Sequence, residues 1–272
     1  MIGRRLRAAL ACVAVLAAGS AAVACDVNVG DGNFNVGLAS GKASDTWTKT
    51  FTVSAGGRLD LRNINGGIVV QPAAEGQPLE VSAERTARAA SDEAARELLK
   101  KVEIHDEATA DRVLIETRAP KTWGREGHEV KYTVKLPPGV KLEARTVNGG
   151  LELHRVTGDA NLTTTNGAIK AEGLAGSVEA RTTNGGIDFA LAAVPGTVTL
   201  ETVNGGVSLE VPAALAADLS AHVTNGGIQV DDALKFEAVG EQNRRNVQGK
   251  LNGGGHRVDV STTNGGIAIH AK

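Results

Sequence analysis

The chain has 272 residues, of which 42% are hydrophobic and 22% charged, a balance typical of a globular protein. Its 29 basic and 31 acidic residues are spread along the chain and give a formal net charge of −2. This composition lacks the basic excess of nucleic-acid-binding proteins, so neither nucleic acid nor anionic lipid is a predicted partner. Aromatic residues make up only 3% of the chain, whereas glycine numbers 34. The core must be built from small aliphatic side chains between many turns, which favours β-structure.

Residues 1–24 have the pattern of an export signal. Arg4, Arg5 and Arg7 form a basic start, and an apolar, alanine-rich run follows over residues 8–23. This run is shorter than the roughly 20 residues that a membrane-spanning helix needs. We therefore expect residues 1–24 to be removed as a signal peptide and exclude them from the fold.

Two processing routes fit the end of this segment. Residues 22–24 form an A-x-A site for an ordinary signal peptidase, and together with Cys25 they also resemble a lipobox. Cys12 leaves with the signal, so Cys25 becomes the only thiol of the mature chain and has no disulfide partner. Cys25 is therefore the candidate lipidation site, and an unmodified cysteine after ordinary cleavage is the alternative.

The expected location follows from these two routes. The protein is exported and is either lipid-anchored in the cell envelope or soluble in a secreted or periplasmic form. It contacts a membrane only through an anchor at Cys25. Residues 25–45 are rich in glycine, asparagine and serine, and we expect them to form a flexible tether.

A short word, Asn-Gly-Gly or Asn-Gly-Ala followed by an aliphatic residue, recurs along the chain. Its asparagines are Asn65, Asn148, Asn166, Asn184, Asn204, Asn225 and Asn264. From the second copy to the sixth, successive asparagines are 18, 18, 20 and 21 residues apart. A near-constant period of this size is typical of one coil of a solenoid.

The residues around each regular word alternate between apolar and polar. Before Asn184 the apolar positions are Val178 and Ala180, and after it they are Ile187 and Phe189. The same offsets are apolar around each of the other copies from Asn148 onward. Alternation with a period of two predicts a strand on each side of a corner.

A meander of hairpins is the alternative, because Asn-Gly is also a strong hairpin sequence. We favour the coil, since a period near 20 residues leaves room for a second corner, which Gly158, residues 173–176 and residues 194–196 supply. The prediction is an all-β fold, a right-handed parallel β-solenoid (β-helix) with about 18–21 residues per coil. The asparagines should stack as a structural hydrogen-bonded ladder, and the Asn-Gly pairs should serve corners that need positive φ.

Both ends of the repeat region are less regular. Residues 46–140 are predicted to form a β-rich N-terminal cap with one short helix near 91–101, which buries Ala94, Ala95, Leu98 and Leu99. The regular solenoid covers residues 141–272 and contains an irregular insertion near 234–256. The last coil should then follow.

Two consequences concern the C-terminal end. Asn252-Gly253-Gly254 resembles an eighth word but has Asn246, Gln248 and Lys250 at the inward offsets, so we interpret it as an irregular turn. Residues 257–269 should form the last coil, and Ile267–Ile269 should end the stack as a free edge strand. Such an edge predicts end-to-end self-association.

Over residues 46–272 the chain resembles the bacterial putative-adhesin family of unknown function with β-strand repeats. The resemblance rests on Pro-Pro-Gly at 137–139, on the Thr-x-Asn-Gly-Gly corners, and on Gly249–Gly255 before the final corner. It implies a β-helical envelope protein and brings no catalytic residues with it.

The favoured function is therefore a non-enzymatic binding, adhesin-like or scaffold module whose partner is an envelope protein or a glycan. No catalytic residue, cofactor or metal is predicted. The alternative is a polysaccharide-active β-helix enzyme, for which Asp188, Asp231 and Asp232 are the best acidic candidates. These carboxylates have no recurrent partner in the repeats, and none of the six histidines has the spacing of helical metal ligands.

Overall fold

The computed structural model describes residues 27–30, 33–36, 41–192, 196–240 and 242–272. The predicted signal peptide and Cys25 lie outside these residues. The chain divides into two units, residues 1–39 and residues 40–272. In the first unit, strand β1 pairs with β2 as an antiparallel hairpin.

The described elements follow in chain order. They are β1 (Val27–Gly30), β2 (Asn33–Val36), β3 (Gly41–Phe51), β4 (Arg58–Arg62), β5 (Ile68–Pro72), β6 (Leu79–Ala89), α1 (Asp92–Lys100), β7 (Glu103–Ala108), β8 (Arg112–Arg118), β9 (Gly127–Leu136), β10 (Lys141–Asn148), β11 (Leu151–His154), β12 (Ala160–Asn166), β13 (Ile169–Leu174), β14 (Val178–Asn184), β15 (Ile187–Leu191), β16 (Val198–Asn204), β17 (Val207–Val211), β18 (Ala217–Asn225), β19 (Ile228–Val230), β20 (Phe236–Ala238), β21 (Asn246–Leu251), β22 (His256–Asn264) and β23 (Ile267–Ala271).

The second unit consists of two sheets that share one core. The eleven-stranded sheet has the order β20-β21-β18-β22-β16-β14-β12-β10-β4-β8-β7, and the ten-stranded sheet has the order β19-β23-β17-β15-β13-β11-β5-β9-β6-β3. From β10 to β19 consecutive strands alternate between the sheets, and neighbours within a sheet are parallel. The all-β prediction is confirmed. Parallel pairing also excludes a hairpin meander in the repeats.

The repeat register places equivalent residues side by side. In the eleven-stranded sheet Asn166 pairs with Asn184, and in the ten-stranded sheet Ile169 pairs with Ile187. The apolar residues on both sides of each corner therefore meet between the sheets. In one coil, Val178 and Ala180 face Ile187 and Phe189, and all four are at most 3% exposed.

The N-terminal part shares this core. Leu59, Val113 and Tyr132 belong to the same buried cluster as the repeats. Strand β6 was not predicted, although it pairs antiparallel with both β3 and β9. Its alternation is interrupted by polar residues of intermediate exposure, which hid it in the sequence.

Two boundaries in this region differ from the predictions. Residues 41–45, expected in the tether, belong to β3, because they complete its eleven-residue pairing with β6. Helix α1 begins after its N-cap Ser91, whose side chain accepts a hydrogen bond from the Ala94 amide. Ala94 itself is exposed, whereas Leu98 and Leu99 are buried in a small cluster of their own.

The last coil in sequence is not the last coil in space. Strand β22 lies between β16 and β18, and β23 lies between β17 and β19. The prediction that Ile267–Ile269 forms a free edge is therefore wrong, because β23 is paired on both sides. The argument for end-to-end self-association through this strand fails with it.

The irregular segment covers the outer edge of the eleven-stranded sheet. Strand β21 pairs antiparallel with β18, and β20 pairs with β21. Asn252 adopts a positive φ of 48° in the turn after β21, and its amide donates to the carbonyls of Ala213 and Leu215. The polar residues at the inward offsets, Asn246, Gln248 and Lys250, therefore lie in β21, which forms an antiparallel pair with β20 instead of a further coil.

Candidate functional site

The seven asparagines of the repeated word form one continuous ladder along a corner of the stack. Each Nδ2 except that of Asn65 donates to the Oδ1 of the neighbouring asparagine over 2.7–2.9 Å. In spatial order the ladder runs Asn65, Asn148, Asn166, Asn184, Asn204, Asn264, Asn225. All members except Asn65 are exposed, so one face of the ladder is available to solvent.

The first glycine of each word is required by close stacking. A Cβ at Gly167 would clash with the carbonyl oxygen of Gly149, and a Cβ at Gly185 would clash with that of Gly167. Only the end members Gly66 and Gly226 have a positive φ. The expectation that all these corners need positive φ is therefore wrong, and the approach of one backbone to the next is the reason for glycine.

The second glycine is under weaker constraint. A Cβ at Gly150 would lie 3.2 Å from the Ala168 carbonyl oxygen, and one at Gly186 would lie 3.3 Å from that of Gly206. Such contacts are tight but not prohibitive. Alanine indeed occupies this position at Ala168.

A buried column of threonines fastens each corner to the next. Thr164 donates its hydroxyl to the Gly149 carbonyl over 2.9 Å, and Thr182 donates to the Gly167 carbonyl over 2.9 Å. Thr146, Thr202 and Thr262 repeat this contact at their own corners. In the outermost coil Val223 takes the place of the threonine.

The ladder ends on a histidine that comes from a different part of the chain. Asn65 Nδ2 lies 3.2 Å from His128 Nε2. Because the amide donates, this ring nitrogen accepts and the proton sits on Nδ1, which has no partner among the described residues. Burial lowers the pKa of His128, in agreement with a neutral ring.

The outer face of the eleven-stranded sheet carries charges that are paired across strands. Asp60 is 1% exposed and accepts from Arg112 Nε over 2.6 Å, while Arg58 Nε lies 2.7 Å from its other oxygen. Glu143 pairs with Arg145 over 2.7 Å. The two arginines around Asp60 thus supply the charge that allows a carboxylate to be buried on this face.

The same pairing continues along the stack. Arg181 contacts both Glu179 and Glu201, the latter over 2.7 Å, and Asn161 donates to Glu179 over 2.8 Å. Each of these carboxylates therefore already has a partner. The arrangement is a neutralised ladder of charges and amides.

A shallow groove of about 480 Å³ crosses this face near the second corner. It spans five adjacent strands, from β4 to β16 in the sheet order, and offers cationic, anionic, amide and hydroxyl groups. Its polar lining includes Arg58, Lys141, Glu143, Asp159, Asn161 and Thr199. Such a surface suits a ligand that carries many polar groups.

The acidic candidates from the sequence lie apart from this groove. Asp188 faces outward from the ten-stranded sheet, in a groove of about 220 Å³ that His154 and Glu172 also line. Asp231 accepts backbone amides of Ala233 and Ala271, which lower its pKa. Asp231 therefore has a structural role at a turn.

His154 is held between two carboxylates. Its Nδ1 lies 2.7 Å from Glu172 and its Nε2 lies 3.0 Å from Glu152. The hydrogen bond to Glu172 is the main cause that raises the pKa of His154. Within the described part of the chain, no group of three or more His, Cys, Asp or Glu side chains is arranged to hold a metal ion.

A family model described as Toastrack DUF4097 matches residues 26–270, nearly the whole sequence after the predicted cleavage point. The chain belongs to the Toastrack family. This match starts 20 residues before the resemblance noted in the sequence and includes the segment predicted as a tether. No curated protein matches the Toastrack chain.

The solved structures to which the chain is similar are distant in sequence. A "putative cell adhesion protein" from Clostridium sporogenes is 13% identical, with a TM-score of 0.46 over 85% of the Toastrack chain and 100% of its own. A "putative adhesin" from Bacteroides fragilis is 11% identical, with a TM-score of 0.35 over 84% and 97% of the two chains. A further one from Parabacteroides distasonis is 12% identical, with a TM-score of 0.33 over 84% and 97%.

Membrane attachment of the Toastrack chain is not determined by the described residues. Cys25, the candidate lipidation site, lies outside them. In the ranges that the structure covers, no helix combines the length and apolar character needed to cross a bilayer.

Two features of the Toastrack chain were missed in the sequence. The role of His128 at the end of the ladder is one of them, because nothing in the sequence links it to Asn65, 63 residues away. Asp60 was not singled out either, since its partner Arg112 is 52 residues distant. The alternation of β4 placed Asp60 on the outer face, but only the fold brings two arginines over it.

Proposed function

We propose that this chain is an exported, non-enzymatic module of the cell envelope that binds an envelope glycan or protein through the outer face of its eleven-stranded sheet. The observation that carries the proposal is the groove of about 480 Å³ across five adjacent strands. Asn161, Glu179 and Thr199 lie side by side in it on adjacent strands about 4.8 Å apart, and Lys141 lines it on β10. Repeated polar groups at regular intervals match the repeated polar groups of a polymer.

The pairing of the carboxylates favours binding over hydrolysis. A glycosidase needs two carboxyl groups that are free to act on one bond, roughly 5–10 Å apart. On this face Glu143 is engaged by Arg145, and Glu179 is engaged by Arg181 and Asn161. A polysaccharide-active enzyme remains the alternative, and its activity can be measured directly.

We also propose that the alternating strands wind as a right-handed β-solenoid. The support is the parallel pairing of successive coils and the strong preference of parallel β-crossovers for a right-handed connection. A crystal structure would settle the hand directly.

Glycan binding can be tested by co-sedimentation of the purified protein with peptidoglycan sacculi. The variant Lys141→Ala/Asn161→Ala/Thr199→Ala removes three polar groups from the groove and should weaken binding at least fivefold. The matched control Lys170→Ala/Ser208→Ala/Gln229→Ala removes the same kinds of group from the ten-stranded sheet and should bind as the parent does. Equal losses in both variants would exclude the groove, and release of reducing sugar ends from the sacculi would support the enzyme.

Export and anchoring are tested by the intact mass of the protein made in a bacterial host. We propose cleavage after residue 24 and lipidation of Cys25. A lipid-sized mass increase that is absent from Cys25→Ala is the expected result. An unmodified chain that starts at Cys25 would show that the mature protein is soluble in the periplasm or outside the cell.

A further inference from the structure

The loop between β8 and β9 exposes a tryptophan to solvent. Trp123 is 81% exposed, more than any other large hydrophobic side chain in the described residues. The chain contains only two tryptophans, and the other, Trp47, packs partly buried against the main core. This exposure leaves most of the indole surface in water, where it is accessible to a partner outside the chain.

The loop is a convex projection from the stack. The Glu126 amide donates to the Trp123 carbonyl over 3.3 Å, and Gly124 has a positive φ of 66°, so the chain reverses at the tip. A Cβ added at Gly124 or Gly127 would meet no atom within 4 Å. The tip therefore stands clear of both sheets, and it leaves β8 at the corner where Asn65 ends the ladder.

Two cations flank the tryptophan. Lys121 and Arg125 are exposed, and neither forms a salt bridge with any residue in the described part of the chain. On the outer face, by contrast, Arg58, Arg112, Arg145 and Arg181 all pair with carboxylates. The loop thus combines an indole with two cations, which outnumber its one carboxylate, Glu126, a local excess that the formal net charge of −2 conceals.

We propose that residues 120–125 dock on the surface of an anionic lipid bilayer. Indole rings favour the boundary between headgroups and acyl chains, and lysine and arginine side chains extend to lipid phosphates. A convex tip suits insertion into a headgroup layer, whereas a site for a soluble sugar is concave and places several polar groups around the aromatic ring. This inference is independent of the proposed lipidation of Cys25 and of the proposed glycan groove.

The docking is weak and depends on salt. Each cation near an anionic surface strengthens partitioning about fivefold, so that removal of both should weaken it about 30-fold. One indole and two charges form a weak contact with a membrane, and a second attachment, such as a lipid anchor, would strengthen it. In the cell the loop would orient a chain that is held near the membrane.

The loop carries its own probe for the test. In a Trp47→Phe background Trp123 is the only tryptophan, so its emission reports the loop alone. The protein is made with Cys25→Ser, which prevents acylation, and all variants keep the same N-terminal residues. We expect a blue shift and quenching by brominated lipid with phosphatidylglycerol vesicles, and neither change with phosphatidylcholine vesicles or in high salt.

Matched variants identify the responsible groups. Lys121→Gln/Arg125→Gln should need about 30 times more lipid for half-maximal shift, and in sedimentation assays Trp123→Ala should bind vesicles more weakly than the parent. Arg244→Gln/Arg245→Gln removes two exposed arginines at the opposite end of the stack, and Val239→Ala removes another exposed apolar side chain. Both controls should bind normally.

Three results would overturn the proposal. They are an unchanged Trp123 spectrum with anionic vesicles, an equal loss of binding in the Arg244/Arg245 control, and a blue shift with a soluble acidic polysaccharide but not with vesicles. Circular dichroism of each variant ensures that a loss of binding does not reflect unfolding.

Discussion

The regular coils and the N-terminal end of the stack are both held at their corners by polar contacts, but different residues form these contacts. In each regular coil the corner is held by an asparagine, a glycine and a threonine that contact the neighbouring coil. Asn184 donates to the equivalent Asn166, whereas Thr182 donates to the Gly167 carbonyl and Gly185 lies directly against that carbonyl. At the N-terminal end the neighbouring coil lacks the word. Asn63 and Thr117 form a buried polar cluster there instead.

This cluster concentrates many bonds in a few buried atoms. Asn63 Nδ2 donates to the carbonyls of Gly66 and Val130 over 3.0 and 2.8 Å, and its Oδ1 accepts from Thr117. The Thr117 hydroxyl also lies 2.7 Å from the Tyr132 hydroxyl, and burial raises the pKa of Tyr132 to about 12. Repetition distributes the stabilisation over many exposed contacts, whereas the end depends on a few buried ones.

The largest expected effect comes from the first glycine of the word, because it lies against the backbone of the neighbouring coil. Gly185→Ala places a Cβ against the Gly167 carbonyl, and we expect a loss of about 3 kcal/mol or more in the free energy of unfolding. Gly186→Ala, one residue later, should cost less than about 1 kcal/mol, because that position is alanine at Ala168. Urea unfolding of both variants measures the contrast, and equal losses would refute the close-approach explanation.

The second prediction compares two asparagines. Asn63→Ala removes the side-chain donor to the buried Val130 carbonyl and the acceptor of the Thr117 hydroxyl, and should cost about 3 kcal/mol. Asn184→Ala breaks two ladder bonds at an exposed site, where water replaces part of the loss, and should cost about 1–2 kcal/mol. If chemical denaturation gave Asn184→Ala the larger loss, the contrast between a distributed ladder and a concentrated cluster would be wrong.

The third prediction replaces one threonine of the column by valine and, conversely, replaces the valine that interrupts the column by threonine. Thr182→Val removes the hydroxyl that bonds to the Gly167 carbonyl and should destabilise by about 1 kcal/mol. Val223→Thr in the outermost coil should gain a comparable bond to the Gly265 carbonyl. Thermal unfolding of the two variants should shift in opposite directions, and a shift in the same direction would show that the column acts through packing alone.

The same comparison explains what the sequence could predict. The period of the word and its apolar flanks depend on neighbours one coil away, so the corners, the inward residues and the parallel stacking of the coils can be predicted from the sequence. The position of β22 between β16 and β18 is not, because all coils are equivalent and the pattern does not specify their spatial order. Asn63, Asp60 and His128 find partners more than 50 residues distant, and no local pattern marks them.

The smallest expected effect is a difference between two histidines in how each changes the free energy of unfolding with pH. The pKa of His128 is lowered by burial, so the unfolded chain binds the proton more tightly and this residue's contribution to stability is lost as the pH falls below about 6.5. The pKa of His154 is raised by Glu172, so its contribution is present below about 6.5 and is lost as the pH rises through the folded-state value. The two residues therefore act in opposite directions.

Urea unfolding of two variants across the pH range tests these signs. His128→Gln keeps an acceptor for Asn65 but cannot take up the proton, so it should flatten the acid side of the stability profile. His154→Gln loses the charge between Glu152 and Glu172 and should flatten the neutral and alkaline side. Identical profiles for the two variants would contradict the opposite signs of the two pKa shifts. Opposite changes would show that folding favours a neutral ring at His128, where the asparagine ladder ends, and a protonated ring at His154.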